Sequence, residues 1–214
     1  MNKKVLTIVL ILISFTSYTQ EKKKSRLKPY KIGLLYNYGN EKNFLFNDKD
    51  YSYKTNTYKA QLFYQLGTWK RLDLELIVQP QIQFLNHQLN NSFFVQPRHG
   101  NNYLVLRDIY TKNKSMNLYS LEFGFAARKR ITKKIDFQTT ISLGFSYIDT
   151  TTERLAKGFT FIENFSIGLL YETLKNAFIY LGSNFGHVSN LNFKKPNDGY
   201  NIIGIELGVS FLIK

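Results

Sequence analysis

A histidine and a serine stand two residues apart near the C-terminal end of the chain, in His187-Val188-Ser189. A hydroxyl beside an imidazole can act as a nucleophile with its general base. Residues at this spacing lie on the same face of a β-strand, so both side chains would project together. The preceding alternation puts Leu181 and Phe185 on that face as well. A reactive pair on an apolar face fits a substrate that is itself a lipid.

Eight segments that could position this pair alternate between apolar residues and polar residues or glycine. They are Pro29–Tyr38, Asn56–Leu66, Leu72–Phe84, Asn117–Arg128, Ile135–Tyr147, Phe159–Tyr171, Ala177–Ser189 and Asn201–Ile213. The sixth is less regular, because Glu163 falls on its otherwise apolar side. Period-two alternation over about ten residues is typical of membrane-spanning strands, whereas strands of soluble sandwiches are nearer five or six residues long. The pattern predicts an all-β protein, an eight-stranded antiparallel transmembrane β-barrel.

The connections between these segments alternate in length, with a long one after each odd-numbered strand. The short connections are Gly67–Arg71, Lys129–Lys134 and Glu172–Asn176, and the long ones are Gly39–Thr55, Asn86–Met116, Ile148–Gly158 and Asn190–Tyr200. Bacterial barrels have short periplasmic turns and long external loops. The same order here places His187 and Ser189 at the external end of the seventh strand. Within the second long connection, whose role the sequence leaves open, Tyr103–Tyr110 could extend a neighbouring strand or form a hairpin.

The first twenty residues resemble an export signal, with Lys3 and Lys4 followed by the apolar run Val5–Phe15. We therefore expect a signal peptide over residues 1–20 and a single barrel domain over residues 21–214. The chain contains no cysteine, which excludes a disulfide framework and a thiolate metal site. The sequence shows no metal-ligand cluster, no glycine loop for a phosphate and no amphipathic helix, so we expect no metal and no cofactor.

The chain is basic and rich in aromatic residues. Its formal charge is +14, or +12 once Lys3 and Lys4 leave with the signal, and it holds 15 Tyr and 18 Phe. Aromatic residues at this level fit the interfacial girdles of membrane barrels. For an exported protein, the charge favours anionic lipid head groups as partners over nucleic acid.

Asn201 belongs with the histidine and the serine. It opens the eighth strand with the parity of Ile203 and Ile205, whose side chains should face lipid. His187, Ser189 and Asn201 would then gather on the outer wall near the external leaflet. Polar groups in hydrocarbon are costly, so such a cluster predicts a functional site. The alternative is an interfacial histidine followed by an ordinary loop serine.

The segments around these residues carry a family resemblance. Gly186-His187-Val188-Ser189-Asn190, followed by Lys194-Lys195-Pro196-Asn197-Asp198-Gly199-Tyr200-Asn201, resembles the outer-membrane lipid A 3-O-deacylases, the PagL-like or acyloxyacyl hydrolase family. Their signature is a His-x-Ser-Asn strand end, a Lys-x-Pro-Asn-x-Gly loop and then the last strand. The match covers residues 183–210, whereas residues 21–115 match only in barrel pattern and are longer than we expect for the family.

The resemblance implies a role for each matched position. Ser189 would be the nucleophile and His187 its general base. The third family member is a glutamate, and this chain has Asn201 in its place. An asparagine can fix the imidazole tautomer but cannot stabilise the imidazolium by charge, so a lower rate is expected. Asn190 and Asn197 match positions associated with the oxyanion site.

Further charged residues stand near the motif or along the strands. Lys194 and Lys195 could bind lipid A phosphates or could form a solvated loop tip. Asp198 could reach the imidazole from the loop, while Glu206 should point inward. His87 and His99 are expected to be loop residues. An interior charge network is expected from the inward parity of Asp73, Glu75, Glu122, Asp136 and Glu206 with Lys59 and Arg128.

These observations predict a carboxylic ester hydrolase of the bacterial outer membrane. It would remove a fatty-acyl chain from lipid A, as part of lipopolysaccharide, by a serine-type mechanism in the outer leaflet. One alternative is a barrel of the same fold with weak or no catalysis and a structural or adhesion role. Another is a secreted β-sandwich that binds polyanions. The sequence leaves open which acyl chain is removed and whether the barrel forms a homodimer.

Overall fold

Eight antiparallel strands form a closed barrel in the computed structural model, which describes residues 28–41 and 49–213. Each strand pairs with the next, and the first pairs with the last. The strands are β1 (Lys31–Asn40), β2 (Tyr51–Trp69), β3 (Leu72–Leu89), β4 (Lys114–Arg130), β5 (Ile135–Ile148), β6 (Gly158–Leu174), β7 (Ala177–Ser189) and β8 (Tyr200–Leu212). The predicted fold class is thus confirmed, while the expected signal peptide, residues 1–20, lies outside the described residues.

The outer surface of the barrel carries a continuous apolar belt, because every second side chain of each strand points outward. On β4, Leu121, Phe123 and Phe125 are 42%, 43% and 49% exposed. Phe145 on β5 and Leu181 on β7 continue the belt around the barrel. An apolar surface of this extent is unlike that of a water-soluble protein and matches the lipid-facing band of a membrane barrel.

The interior at the level of the belt is largely polar, and many of its side chains are paired. Glu122 is fully buried and faces Lys59, with 3.3 Å between Oε1 and Nζ. It also accepts hydrogen bonds from Ser142 Oγ at 2.8 Å and Asn164 Nδ2 at 2.9 Å. A second group joins Arg128 to Asp73, Glu75 and Asp136. The predicted interior charge network is confirmed.

The distribution of polar and apolar side chains between the inner and outer faces reverses at the end of the barrel that carries the long connections. There the inward side chains are apolar and fully buried, and we call them the apolar plug: Tyr51, Tyr53, Leu85, Met116, Leu118, Ile148, Leu155, Ile162, Val188, Tyr200 and Ile202. Outward neighbours such as Lys54 and Asn86 are exposed. The strands therefore continue past the belt as a water-facing barrel, so β2 begins at Tyr51, β3 ends at Leu89 and β4 begins at Lys114, beyond the limits predicted from the alternation.

The long connection between β3 and β4 contains a helix, α1 (Tyr103–Tyr110), after two 3₁₀ turns over Ser92–Phe94 and Pro97–His99. The expectations of a strand extension or hairpin, and of no amphipathic helix, were wrong. Eight residues are too few for the helical and strand periods to be separated. Arg107 holds the helix in place by donating from Nε to Val95 O at 2.8 Å. No helix in the described part of the chain is long and apolar enough to cross a bilayer.

The two histidines near this connection differ in their environment. His99 lies in the second 3₁₀ turn and accepts a hydrogen bond from Gln96 N at 2.8 Å. His87, in contrast, was wrongly expected in the loop: it lies on β3 and is buried. Its Nε2 is 2.8 Å from Glu153 Oε2, and its ring stacks on Tyr53 at 4.2 Å between centroids. Because these partners belong to β2 and the β5–β6 connection, sequence spacing alone does not indicate them.

Candidate active site

The pairing of β7 with β8 brings His187 directly opposite Asn201. His187 Nδ1 lies 2.7 Å from Asn201 Oδ1, so the ring donates its Nδ1 proton to the amide oxygen. This leaves Nε2 without a proton and able to accept one. Ser189 follows on the same outward face. We call His187, Ser189 and Asn201 the outer polar trio, which lies where the apolar belt ends and the apolar plug begins.

Gly199 provides the space in which the imidazole sits. Its φ is +65°, a left-handed conformation that glycine adopts without strain. A Cβ at this position would lie 3.0 Å from His187 Cε1, 3.4 Å from Nε2 and 2.6 Å from Val188 O. The Nε2 edge of the ring thus faces Gly199, which is one residue beyond the last β7–β8 pair, Val188 with Tyr200. Continuing that register by one residue places Ser189 beside Gly199.

Ser189 is largely buried at the end of β7, opposite Phe161 of β6. Within the described residues, no hydrogen bond joins its hydroxyl to the imidazole. Catalytic hydrogen bonds are often long in a ligand-free site and shorten when substrate binds. A serine in this position is shielded from bulk water, and the adjacent side chains of the outer wall are apolar.

Asn190 and Asn197 organise the loop between β7 and β8. The backbone N–H of Asn190 donates to Asn197 Oδ1 at 2.6 Å, and Asn190 Nδ2 donates to Lys194 O at 2.7 Å. The backbone N–H of Asn190 and one N–H of its side-chain amide are therefore engaged inside the loop. Since Asn197 uses its oxygen here, its NH₂ group can serve another acceptor, as can the second N–H of the Asn190 side-chain amide.

Arg154, which the sequence analysis missed, fixes this loop to the β5–β6 connection. Its carbonyl accepts from the N–H groups of Asp198 at 2.7 Å and Gly199 at 3.1 Å, and its Nε donates to Gly199 O at 2.7 Å. Its guanidinium lies 4.4 Å from the Tyr51 ring centroid. Neither a motif nor a local spacing marks this arginine, because its partners lie 45 residues away in the chain.

The β5–β6 connection is itself anchored to β4 through Asp149. This carboxylate accepts hydrogen bonds from Asn117 N at 3.0 Å, Asn117 Nδ2 at 2.9 Å and Thr150 Oγ1 at 2.9 Å. Burial opposes its ionisation, but these hydrogen bonds outweigh that effect and lower the pKa of Asp149. The charged loop residue therefore holds one end of the segment that carries Arg154.

Other predicted residues stand apart from the trio. Lys194 and Lys195 are exposed at the loop tip, where their Nζ atoms contact Lys157 O at 3.4 Å and Asn192 Oδ1 at 3.0 Å. Asp198 is exposed, and the described residues show no hydrogen bond between it and His187. Glu206 points inward as expected; it is buried and accepts from Tyr180 Oη at 3.4 Å.

A shallow groove of about 550 Å³ descends the outer wall below His187. We call it the outer groove. Its lining is mostly apolar and includes Phe123, Phe125, Ile141, Leu143, Phe165 and Phe185, with His187 and Glu163 as its ionisable residues. A mostly apolar groove with a few polar groups at one place is a usual form of binding site for an apolar ligand.

The fold defines a class, a membrane β-barrel, and a histidine and a serine stand two residues apart at the edge of its apolar belt. The model of the family "PagL: Lipid A 3-O-deacylase" matches residues 30–210. The chain therefore belongs to the PagL lipid A 3-O-deacylase family, and the resemblance in the sequence is confirmed.

Solved structures agree with the fold. The crystal structure of the outer membrane enzyme PagL superposes with a TM-score of 0.51 at 13% identity, covering 86% of this chain and 99% of that one. Neisserial surface protein A gives a TM-score of 0.47 at 10% identity, covering 86% of this chain and 96% of that one. A comparison with curated protein sequences gave no match. The family and the fold place this chain in the bacterial outer membrane.

Proposed function

We propose that this chain hydrolyses a fatty-acyl ester of lipid A in the outer leaflet, with Ser189 as nucleophile and His187 as general base. The observation that carries this proposal is the 2.7 Å hydrogen bond between His187 Nδ1 and Asn201 Oδ1 beside Ser189 on the outward face. It holds the tautomer in which Nε2 can take a proton. Family membership supports the same reaction class.

The reaction is a serine-type acyl transfer to water. Ser189 Oγ bonds to the ester carbonyl carbon while its proton passes to His187 Nε2. The tetrahedral intermediate then collapses, the bond to the lipid A oxygen breaks, and that oxygen takes the proton from Nε2. A water molecule attacks the acyl-enzyme and gives a proton to His187. The fatty acid leaves, and the proton returns to Ser189 Oγ.

The remaining polar residues have supporting roles in this proposal. The NH₂ group of Asn197 donates to the oxyanion of the tetrahedral intermediate, while Asn190 keeps the loop in shape. Lys194 and Lys195 at the loop tip contact the anionic phosphates of lipid A. The outer groove takes the acyl chain, because its lining matches a hydrocarbon and its upper end lies at His187.

The first prediction concerns Ser189→Ala. In a bacterial host whose lipid A carries ester-linked acyl chains, the wild-type protein is expected to remove one chain. Ser189→Ala should lower the rate by at least about 10³-fold, because the nucleophile is lost. Mass spectrometry of extracted lipid A measures the change.

Ser183→Ala is the matched control. Ser183 lies on the same strand and outward face, and its hydroxyl donates to Gly204 O at 3.1 Å, away from the trio. It should process lipid A as the wild type does. Identical lipid A from wild type and Ser189→Ala would contradict the proposal. That result would favour the alternative of a barrel without efficient catalysis, which the asparagine at position 201 suggests.

A further inference from the structure

We propose that Glu163 supplies the negative charge that Asn201 lacks, as a positioning residue that acts through His187. This inference rests on the proposed function. Its first observation is strand register: Glu163 of β6 pairs directly with His187 of β7, while Asn201 of β8 pairs with His187 from the other side. Glu163 is the one ionisable residue of these two neighbours.

The second observation is the surroundings of Glu163. It lies on the outward face of β6 between Phe161 and Phe165, and it is exposed on that face. In the described part of the chain, its carboxylate has neither an ion pair nor a hydrogen bond. A carboxylate on a lipid-facing wall is unfavourable without a partner, and such residues are commonly functional. Of its two direct cross-strand partners, Leu143 and His187, only His187 could carry a compensating positive charge.

Distance and medium favour an electrostatic effect. Directly opposed residues of an antiparallel pair have Cβ atoms about 5 Å apart. Both side chains line the outer groove, where lipid lowers the local dielectric and strengthens the attraction between a carboxylate and an imidazolium. When Nε2 takes the proton of Ser189, the charge that develops on His187 is therefore stabilised from β6.

The two roles that one carboxylate performs in a serine triad are thus divided between two strands. Asn201 accepts the Nδ1 proton and sets the orientation and tautomer of the ring. Glu163 contributes charge without replacing that hydrogen bond. In the sequence, Glu163 interrupts an otherwise apolar face. The strand register places it opposite His187, where its charge can act on the imidazole.

The test moves one negative charge from β6 to β8 without changing side-chain shape, using Glu163→Gln, Asn201→Asp and the double variant in mixed micelles with lipid A. Glu163→Gln is expected to lower kcat by about tenfold to a hundredfold with little change in KM, because charge matters once the imidazolium forms. In the Asn201→Asp protein, the same substitution should lower kcat by less than about threefold, because the carboxylate introduced on β8 then stabilises the imidazolium.

Glu172→Gln is the matched control, since it makes the same change on the same strand beyond the belt's opposite end and should leave kcat unaltered. Heat-dependent gel mobility shows that each barrel is folded. An active wild type with an unaffected Glu163→Gln variant would overturn this inference alone. Equal losses from Glu163→Gln with and without Asn201→Asp would also overturn it, because a merely structural role is indifferent to charge on β8. A wild type without Ser189-dependent release would overturn the proposed function, and this inference with it.

Discussion

Asn201 is the residue whose chemistry differs most from that of the family's triad. Its amide oxygen holds the Nδ1 proton of His187 as a carboxylate would, but it carries no charge. A neutral partner can fix one tautomer of the imidazole and leave Nε2 as the base. The residue therefore preserves the geometry of the site and gives up part of its electrostatic stabilisation.

Removing this amide should lower turnover without unfolding the barrel. Asn201→Ala is expected to reduce kcat by about tenfold to a hundredfold, because the ring loses the partner that fixes its tautomer. Steady-state kinetics on micellar lipid A measure the loss. Asn56→Ala is the control, since Asn56 also accepts a side-chain hydrogen bond, from Tyr36 Oη at 2.6 Å on the β1–β2 pair. Equal activity of the two variants would argue against the role of Asn201.

At the scale of elements, the loop between β7 and β8 matters as much as the strands. Arg154 forms two hydrogen bonds with Gly199 and one with Asp198, and Gly199 in turn leaves room for the imidazole. The strand pair fixes which residues face outward. The loop, through Gly199, determines the space that the imidazole of His187 can occupy.

Gly199→Ala should therefore impair both stability and activity. A left-handed conformation costs an alanine about 1–2 kcal/mol, and the new Cβ would displace His187. Gly158→Ala is the control: its φ is +131°, but an added Cβ would have no heavy atom within 4 Å. Both variants should unfold at lower denaturant concentration, and Gly199→Ala alone should lose at least about tenfold in kcat. Full activity of folded Gly199→Ala would refute this account of the loop.

At the scale of the whole molecule, the barrel consists of two stacked regions with opposite patterns. The lower region has an apolar outer belt and a largely polar interior that also holds two small apolar clusters, and the upper region has an apolar plug and a polar outer surface. The outer polar trio lies at their boundary. The ion pairs and hydrogen bonds inside the lower region stabilise charged groups within the membrane-spanning barrel.

Breaking that network should destabilise the entire barrel. Glu122→Ala leaves Lys59 without its buried partner and removes an acceptor from Ser142 and Asn164, at a cost of about 3–5 kcal/mol. Urea unfolding in lipid vesicles measures the change in the free energy of unfolding. Lys112→Ala, which breaks an exposed pair with Asp108, is the control and should cost less than about 0.5 kcal/mol. Similar unfolding curves for both variants would contradict the importance of the network.

The sequence predicted the lower region well because lipid imposes a single rule there, an apolar outer face that alternates with the inward side chains. Strand number, order and the outward parity of His187, Ser189 and Asn201 all follow from that rule. It fails above the belt, where water surrounds the barrel, so the strand ends near Tyr51 and Leu89 were missed. The hydrogen bonds of Arg154 join segments that are distant in the chain, and no periodicity of the sequence indicates them.

The outer polar trio adjoins the outer groove on the belt through His187, and its serine is largely buried. Under the proposed function, a lipid substrate would therefore reach it by two-dimensional diffusion within one leaflet. The quantity that governs such encounters is the mole fraction of that lipid among its neighbours, so inert lipid slows the reaction whereas added buffer does not. For a site placed this way, the relevant concentration is that of the lipid within the membrane and not that in the surrounding water.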